Sequence, residues 1–338
     1  MSNQAAFLDG KGKQLRVGDT EKGSPGAGEI LIQNKAIAIN PVDWKVQDTG
    51  MFIQQWPIVL GCDVAGIVEE VGSGVSNVKK GDRVTAHTVS LVQQQPKYGG
   101  FQLYSTVPGA KACKIPDSTS FNEAVVLPLA FDTAAVGLFD SHSKGSMGLE
   151  KPTLTPTQSG KTVVVYGGSS SVGALAIQLA TASGAHVIAT ASSHNFDFCK
   201  SLGAQSVFDY KSSSVVDDVV KAVNDSAPRN FVGIYDAIST QDSYKITVPI
   251  LEKLGMGNLA VVLPGPEKVP HATKVQNVFG ISELTHDMWT GYLPEALQQG
   301  KLKCVPPPQV IGKGLDSVQK GCDANKAGVS AKKVVIEL

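Results

Sequence analysis

The densest chemistry in this chain lies in one stretch, Val163-Val164-Val165-Tyr166-Gly167-Gly168-Ser169-Ser170-Ser171-Val172-Gly173. A short apolar run ends in a glycine- and serine-rich turn, which opens onto the helix-like segment Val172–Ser183. A turn in that setting can receive a pyrophosphate. Backbone N–H groups point at the phosphates, and the helix N-terminus adds partial positive charge. Gly168 and Gly173 take the first and third glycine positions of a G-x-G-x-x-G pattern, but Ser170 stands at the second. A serine there keeps the backbone slightly further from a ligand, while the hydroxyls of Ser169, Ser170 and Ser171 can donate to phosphate oxygens. The plain alternative is a turn joining a strand to a helix with no ligand; the strand–helix alternation that follows favours a dinucleotide.

The next strand ends in Thr190-Ala191-Ser192-Ser193-His194-Asn195. An NAD site usually places Asp or Glu at such a strand end, about 20 residues on, to accept from the ribose 2′-OH. No carboxylate stands here to repel a 2′-phosphate. Ser192 and Ser193 can donate to one, and Tyr210, after the third strand, can reach the same region. These residues also suit the cap of a helix starting near His194, since serine is a good N-cap, and both roles can hold together. The pattern points to NADPH rather than NADH.

The elements that must position these groups fall into two textures. Residues 1 to about 130 read as short strands with glycine-rich turns, among them Glu29–Ile37, Asp63–Val71 and a strand after Gly81-Asp82; such a pattern suggests a compact, barrel-like β domain. Glu123–Phe139 reads as one helix, and Ser141–Gly160, rich in Ser, Thr, Gly and Pro, as a surface loop. From Lys161 strands and helices alternate: strands at 163–166, 185–191, 206–209, 231–235 and 258–263, with helices at 172–183, 195–202 and 215–223. Units of this kind build a doubly wound parallel sheet with helices on both faces. The tail from about Leu293 returns to irregular β texture and is expected to rejoin the first domain. The α/β chain is thus divided into residues 1–130 plus 293–338, the substrate domain, and 131–292, the nucleotide domain.

With 338 residues, two domains are expected. Thirty basic and thirty acidic side chains give zero formal charge, which lacks the footprint of a nucleic-acid binder. The N-terminal segment shows no positively charged n-region, so no secretory signal is expected. Nor does any stretch read as the roughly 18 apolar residues that would span a bilayer. Five cysteines, none in a CxxC pair, argue against a disulfide framework and for reduced thiols in a cytoplasmic protein.

Several stretches together resemble the medium-chain dehydrogenase/reductase superfamily, in its zinc-free, quinone-oxidoreductase-like branch. They are Asn40-Pro41-Val42-Asp43-Trp44-Lys45, Leu60-Gly61-Cys62-Asp63-Val64-Ala65-Gly66, Gly81-Asp82-Arg83-Val84, Lys114-Ile115-Pro116-Asp117, Leu129–Ala134, the loop at 166–173 and Phe208-Asp209-Tyr210. The resemblance covers nearly the whole chain and is greatest to fungal enoyl reductases, including those acting in trans with polyketide synthases. It implies a GroES-like β-rich catalytic domain, a Rossmann domain and an active-site cleft between them. The implied activity is hydride transfer from NADPH to an activated C=C bond of a small or carrier-bound enoyl substrate. A quinone oxidoreductase, and a nucleotide-binding crystallin-like or sensor protein with little turnover, are the alternatives. A monomer or homodimer is implied, with no nucleic-acid or membrane partner.

The same resemblance assigns residues. Lys45 would polarise the substrate carbonyl as the enolate develops, against the alternative of a solvated surface lysine. Thr133 would hydrogen-bond cofactor or substrate, unless it bonds its own helix backbone. Gly168, Ser169, Ser170, Ser171, Val172, Gly173, Ser192, Ser193, His194, Tyr210, Leu263 and Lys333 make up the expected cofactor-binding set. No metal is expected. Zinc-dependent relatives carry a Cys near the position of Asn40 and a Gly-His-Glu near 61–63, where this chain has Gly61-Cys62-Asp63. Two neighbouring candidates fall short of the three protein ligands a catalytic zinc needs. The catalytic Tyr of some mitochondrial enoyl reductases is also missing, since that stretch reads Thr49-Gly50-Met51-Phe52. His87 is the remaining titratable candidate, read first as a structural histidine.

Overall fold

The computed structural model describes residues 2–226 and 230–338, which divide into two compact units, 1–129 with 286–338 and 130–285. In the first unit the chain runs through β1 (Asn3–Leu8), β2 (Arg16–Thr20), β3 (Glu29–Ala38), α1 (Pro41–Thr49), β4 (Ile58–Val59), β5 (Asp63–Val71) and β6 (Arg83–His87). It continues through β7 (Tyr104–Pro108), β8 (Ala112–Lys114) and α2 (Phe121–Ala124). After α3 (Pro128–Phe139) the second unit contains β9 (Thr162–Tyr166), α4 (Ser171–Ala182), β10 (His186–Ala191), α5 (Phe196–Ser201), β11 (Ser206–Asp209) and α6 (Val215–Ser226). Then come β12 (Phe231–Asp236), α7 (Gln241–Leu254), β13 (Asn258–Val261) and β14 (Val275–Asn277). The chain re-enters the first unit with α8 (Leu293–Gln298), β15 (Pro308–Lys313), α9 (Val318–Ala327) and β16 (Lys333–Glu337).

The first unit is a GroES-like β domain. Its larger sheet runs β15-β16-β3-β5-β6-β8, with β7 also pairing β3, and β2-β1-β4 form a smaller one. The long strand β3 pairs antiparallel with β5, β7 and β16, so the C-terminal strand is stitched into the middle of the sheet.

The second unit is a Rossmann-like sheet in the order β11-β10-β9-β12-β13-β14, every pair parallel. Burial on both faces explains its sequence: all of β9 (TVVVY) and β12 (FVGIYD) is buried, as a central parallel strand requires. The amphipathic helix α6 turns Val215, Val219 and Val223 toward the core that also holds Val164, Ile188 and Ile234. The strand order reverses between β9 and β12. In sheets of this class, ligands bind outside the carboxyl ends of the strands at such a point.

Three elements differ from the sequence reading. The expected helix Glu123–Phe139 is two helices, because Pro128 has no N–H to give to the preceding turn and disfavours helical backbone at Leu127. The whole stretch Phe121–Phe139 is the one span among the described residues long and apolar enough to cross a membrane, and 78% of its most apolar window is buried in the protein. The middle of the expected surface loop 141–160 is packed rather than solvated. Ser146 and Met147 are fully buried, Met147 N–H donates to Gly137 C=O, and Asn258 donates to the carbonyls of His142 and Ser146. The tail is not irregular β structure alone, since α8 and α9 interrupt it. The helix α9 carries Gly321 and Asn325, poor helix formers, and is held by tertiary contact: Asn325 Oδ1 accepts from Trp44 Nε1 at 3.0 Å.

Candidate functional site

The glycine-serine turn sits at the carboxyl end of β9, where the sheet order reverses. Gly167 has φ of 78°, the left-handed conformation a tight turn needs. Ser170 is the N-cap of α4 and its Oγ accepts from Gly173 N–H at 3.0 Å. That bond uses one acceptor site of the hydroxyl and leaves its proton free to donate. Ser171 and Val172 form the first turn of α4, half-buried, and Gly168 is buried beneath them. Ser169 Oγ accepts from Asn195 Nδ2 at 3.3 Å, which ties the turn to the end of the next strand. A Cβ on Gly173 would lie 2.2 Å from the carbonyl oxygen of Gly167 and 3.0 Å from Gly168 Cα. The helix start therefore lies directly against the turn.

At the end of β10, Ser192 is half-buried while Ser193 and His194 are exposed. Ser192 precedes a short 3₁₀ turn, Ser193–Asn195, without capping it through its side chain. Its hydroxyl instead donates to Tyr210 Oη at 3.2 Å. Tyr210 follows β11, and its ring lies 6.2 Å from that of Tyr166. Leu263 is half-buried just beyond the end of β13. All these residues line the carboxyl edge of one sheet.

Two groups that sequence reasoning did not single out complete this edge. Asp236, fully buried at the end of β12, accepts from the N–H of Ile238 and Ser239 (3.0 and 2.7 Å) and from Ser243 Oγ (2.6 Å). Burial nevertheless holds its carboxyl above the usual range. Ser239, held at φ 54°, accepts from Val262 N–H at 2.9 Å and so ties β12 to β13. The turn places Ile238 against Gly167: a Cβ on that glycine would meet Ile238 Cγ1 at 2.4 Å. The only sequence signal was Asp236-Ala-Ile-Ser at a strand end, which by itself reads as an ordinary turn.

Lys45 lies on α1 of the first unit, half-buried, with its ammonium 5.5 Å from the ring centroid of Trp44. Burial lowers its pKa from the ordinary lysine value. The N-terminus of α1 is held by a capping box: Asp43 Oδ2 accepts from Asn40 N–H at 2.7 Å. Asn40 Nδ2 in turn donates to Asp63 Oδ2 at 2.7 Å, and Asp63 Oδ1 accepts from Leu129 N–H at 2.7 Å. Thr133 lies on α3 in the second unit, 7% exposed, and its carbonyl accepts from Tyr235 Oη at 2.7 Å. His87 is buried at the end of β6, opposite Asp63 in the sheet register.

Lys333, expected among the cofactor ligands, belongs to the first unit. It begins β16 in the first unit, is 3% exposed, lies 2.9 Å from Asp63 Oδ2 and donates to Asn40 Oδ1. Within the β domain its ammonium is the counter-charge of Asp63. The same corner holds the two neighbours considered for a metal. Cys62 lies in the bend just before β5, and burial, with the charges of Asp43 and Asp63, pushes its thiol well up. A thiol so disfavoured as thiolate is a poor metal ligand. Among the described residues no three His, Cys, Asp or Glu side chains come together to hold a metal ion. This donor set does not fit a catalytic zinc.

A GroES-like β unit joined to a doubly wound sheet, with a glycine-serine turn at its switch point, is the architecture of a dinucleotide-dependent oxidoreductase. Residues 26–117 match the alcohol dehydrogenase GroES-like domain, and residues 171–297 match the zinc-binding dehydrogenase domain. Dehydrogenase orsE of Emericella nidulans is 45% identical, covering 100% of this chain and 99% of its own. The trans-enoyl reductase himH of Aspergillus japonicus is 39% identical over 99% of this chain and 97% of its own. A mycobacterial protein solved in complex with NADPH shares the fold, with TM-score 0.71 and 22% identity over the full length of both chains. The chain belongs to the medium-chain dehydrogenase/reductase superfamily and is similar to fungal trans-enoyl reductases.

Proposed function

We propose that the protein is an NADPH-dependent, zinc-independent reductase that adds hydride to the activated C=C bond of an enoyl thioester or enone. Its place would be in fungal secondary metabolism, on a small or carrier-bound substrate, acting in trans with a polyketide synthase. The observation that carries the cofactor half is the carboxyl edge of the parallel sheet. The cradle closed by Gly173 against Gly167 fits a pyrophosphate. Beside it, the end of β10 offers the hydroxyls of Ser192 and Ser193 and that of Tyr210 where an NAD site would present a carboxylate. Gly168, Ser169, Ser170, Ser171, Val172, Gly173 and Leu263 would hold the rest of the dinucleotide, with Thr133 a further hydrogen-bonding group. When bound, the reduced nicotinamide supplies the hydride. The likeness to trans-enoyl reductase himH supports the choice of an enoyl substrate.

Lys45 supplies the charge the reaction needs. Hydride addition at the β-carbon leaves an enolate, and a cation near its oxygen lowers the barrier only as that charge develops. Desolvation makes this lysine a better acid than a surface lysine, and no carboxylate pairs with its ammonium among the described residues, so its proton is available to the α-carbon. Zinc independence rests on the unsuitable donor set around Asp63.

The test is a panel of enoyl thioesters, enones and quinones with NADPH after exhaustive chelation, run on the parent protein and on Lys45→Ala. Turnover of enoyl substrates by the chelated parent is expected. Lys45→Ala should lower kcat by about 10²–10³ with NADPH affinity nearly unchanged. Lys45→Arg should recover part of the loss, since a planar fork presents its charge differently. Turnover confined to quinones, or a chelation-sensitive rate, overturns the reading. Equal rates in all three proteins remove Lys45 from the chemistry.

A further inference from the structure

We propose that Lys211, a residue outside the motif set, is the cation that selects a 2′-phosphorylated adenosine nucleotide; this rests on the NADPH reading above. In the parallel register of β10 and β11, Ala191 is level with Asp209. The residues that follow, Ser192 and Tyr210, therefore emerge side by side at the carboxyl edge, and their hydroxyls are joined at 3.2 Å. Neither group carries charge, whereas a 2′-phosphate carries close to two negative charges at neutral pH. A hydroxyl pair alone gives such a group hydrogen bonds but no counter-charge.

Lys211 is the next residue. Its backbone is fixed, since its N–H donates to Asp209 Oδ1 at 2.9 Å and Ser212 N–H donates to Asp209 C=O at 3.0 Å. The side chain is exposed and turns back over Tyr210, with Nζ 5.7 Å from the ring centroid. That contact favours a position of the ammonium beside the Tyr210 ring. No carboxylate forms an ion pair with this ammonium among the described residues. The one carboxylate beside it in sequence, that of Asp209, accepts Lys211's own N–H. A cation against the ring of Tyr210, without a carboxylate of its own, beside two joined hydroxyls and the exposed Ser193, is the constitution of a phosphomonoester site. The sheet edge that would carry the adenosine ribose is the edge on which it stands.

Calorimetric titration with two cofactor fragments tests this without turnover: 2′,5′-ADP, which carries the 2′-phosphate, and ADP, which does not. The parent should bind 2′,5′-ADP more tightly. Lys211→Ala should weaken 2′,5′-ADP about tenfold or more, a loss of about 1.4 kcal/mol per decade, and change ADP less than twofold. The 2′,5′-ADP affinity of the parent should also fall more steeply with salt than that of the variant, because the lost interaction is an exposed charge pair. Retention of the full 2′,5′-ADP preference in Lys211→Ala overturns the assignment and leaves the NADPH reading intact. Equal binding of both fragments by the parent overturns the NADPH preference itself. Failure of both to bind removes the nucleotide site.

Discussion

Replacing Lys333 with Met separates a structural ammonium from a cofactor ligand. The methionine keeps the length of the stem and deletes the charge. Asp63, fully buried, would keep the N–H groups of Leu129 and of the Asn40 side chain but lose its ion-pair partner, the ammonium 2.9 Å away. Asn40 Oδ1 would lose a donor at the same time. Breaking a buried pair from one side costs about 3–5 kcal/mol, because the remaining charge is desolvated and uncompensated. For a unit of this size a kilocalorie shifts the midpoint by about 2–4 °C, so the loss corresponds to about 6–20 °C. The chain supplies its own reporter: its three tryptophans, Trp44, Trp56 and Trp289, all belong to the β unit. Fluorescence-detected thermal and urea unfolding should therefore show the early transition. The double variant Asp63→Asn/Lys333→Met removes both charges and should recover most of the loss. A Lys333→Met protein that melts within about 2 °C of the parent but binds NADPH weakly would refute this reasoning and return Lys333 to the cofactor.

Two further outcomes follow from the same geometry. Gly173→Ala places a methyl 2.2 Å from a backbone oxygen that cannot step aside without moving the whole turn. ADP affinity should fall about tenfold or more, equivalent to about 1.4 kcal/mol, while the tryptophan-detected transition stays put; unchanged ADP binding by calorimetry would remove the cradle from the site. Burial, reinforced by the charge of Asp63, pushes the Asp43 carboxyl up to about 7. A folded pKa above the unfolded value means that the stabilisation from holding this proton is complete below about pH 4 and is lost as pH rises through about 7. Asp43→Asn keeps an acceptor for Asn40 N–H and cannot ionise. Its stability relative to the parent should rise between pH 4 and 8 in urea titrations, and a difference that stays flat with pH would contradict the raised value.

What could be read from the sequence was what depends on neighbours in the chain. Asp63–Val71 is a strand over its full length, and Gly167–Gly173 is a tight strand-to-helix turn because a strand, two glycines and a cap lie within a dozen residues. Pro128 also acts locally, and it breaks a helix that Ala and Leu content alone would have continued. The rest depended on partners far along the chain. Composition reads the segment after Ser141 as solvated, yet Asn258 pins two of its carbonyls from more than a hundred residues away. Nothing near Lys333 in the sequence announces its buried partners, since its acceptor on Asn40 is 293 residues distant. Asp236 and Ser239 are equally silent, because a turn that braces two strand ends has the same composition as one that braces nothing.

The corner beneath α1 has a charge count that explains its chemistry. It buries two carboxyls, Asp43 and Asp63, one ammonium, Lys333, and the amide of Asn40 that bridges them. With both carboxyls ionised, the corner would carry a net negative charge in a medium that solvates it poorly. With a proton on Asp43 it is neutral, which is the physical content of that residue's raised pKa. The arrangement also assigns the work of each group. Asp63 stays on the ammonium and on Leu129 N–H, in the first turn of α3, while Asp43 stays on the N-cap of α1. The helix carrying Lys45 is thus fixed at its first turn by a network reaching β5 and the C-terminal strand. The ammonium of Lys45 itself is left out of every ion pair among the described residues. In the role proposed for Lys45 this absence would matter, because a carboxylate paired with the ammonium would compete with the enolate for it.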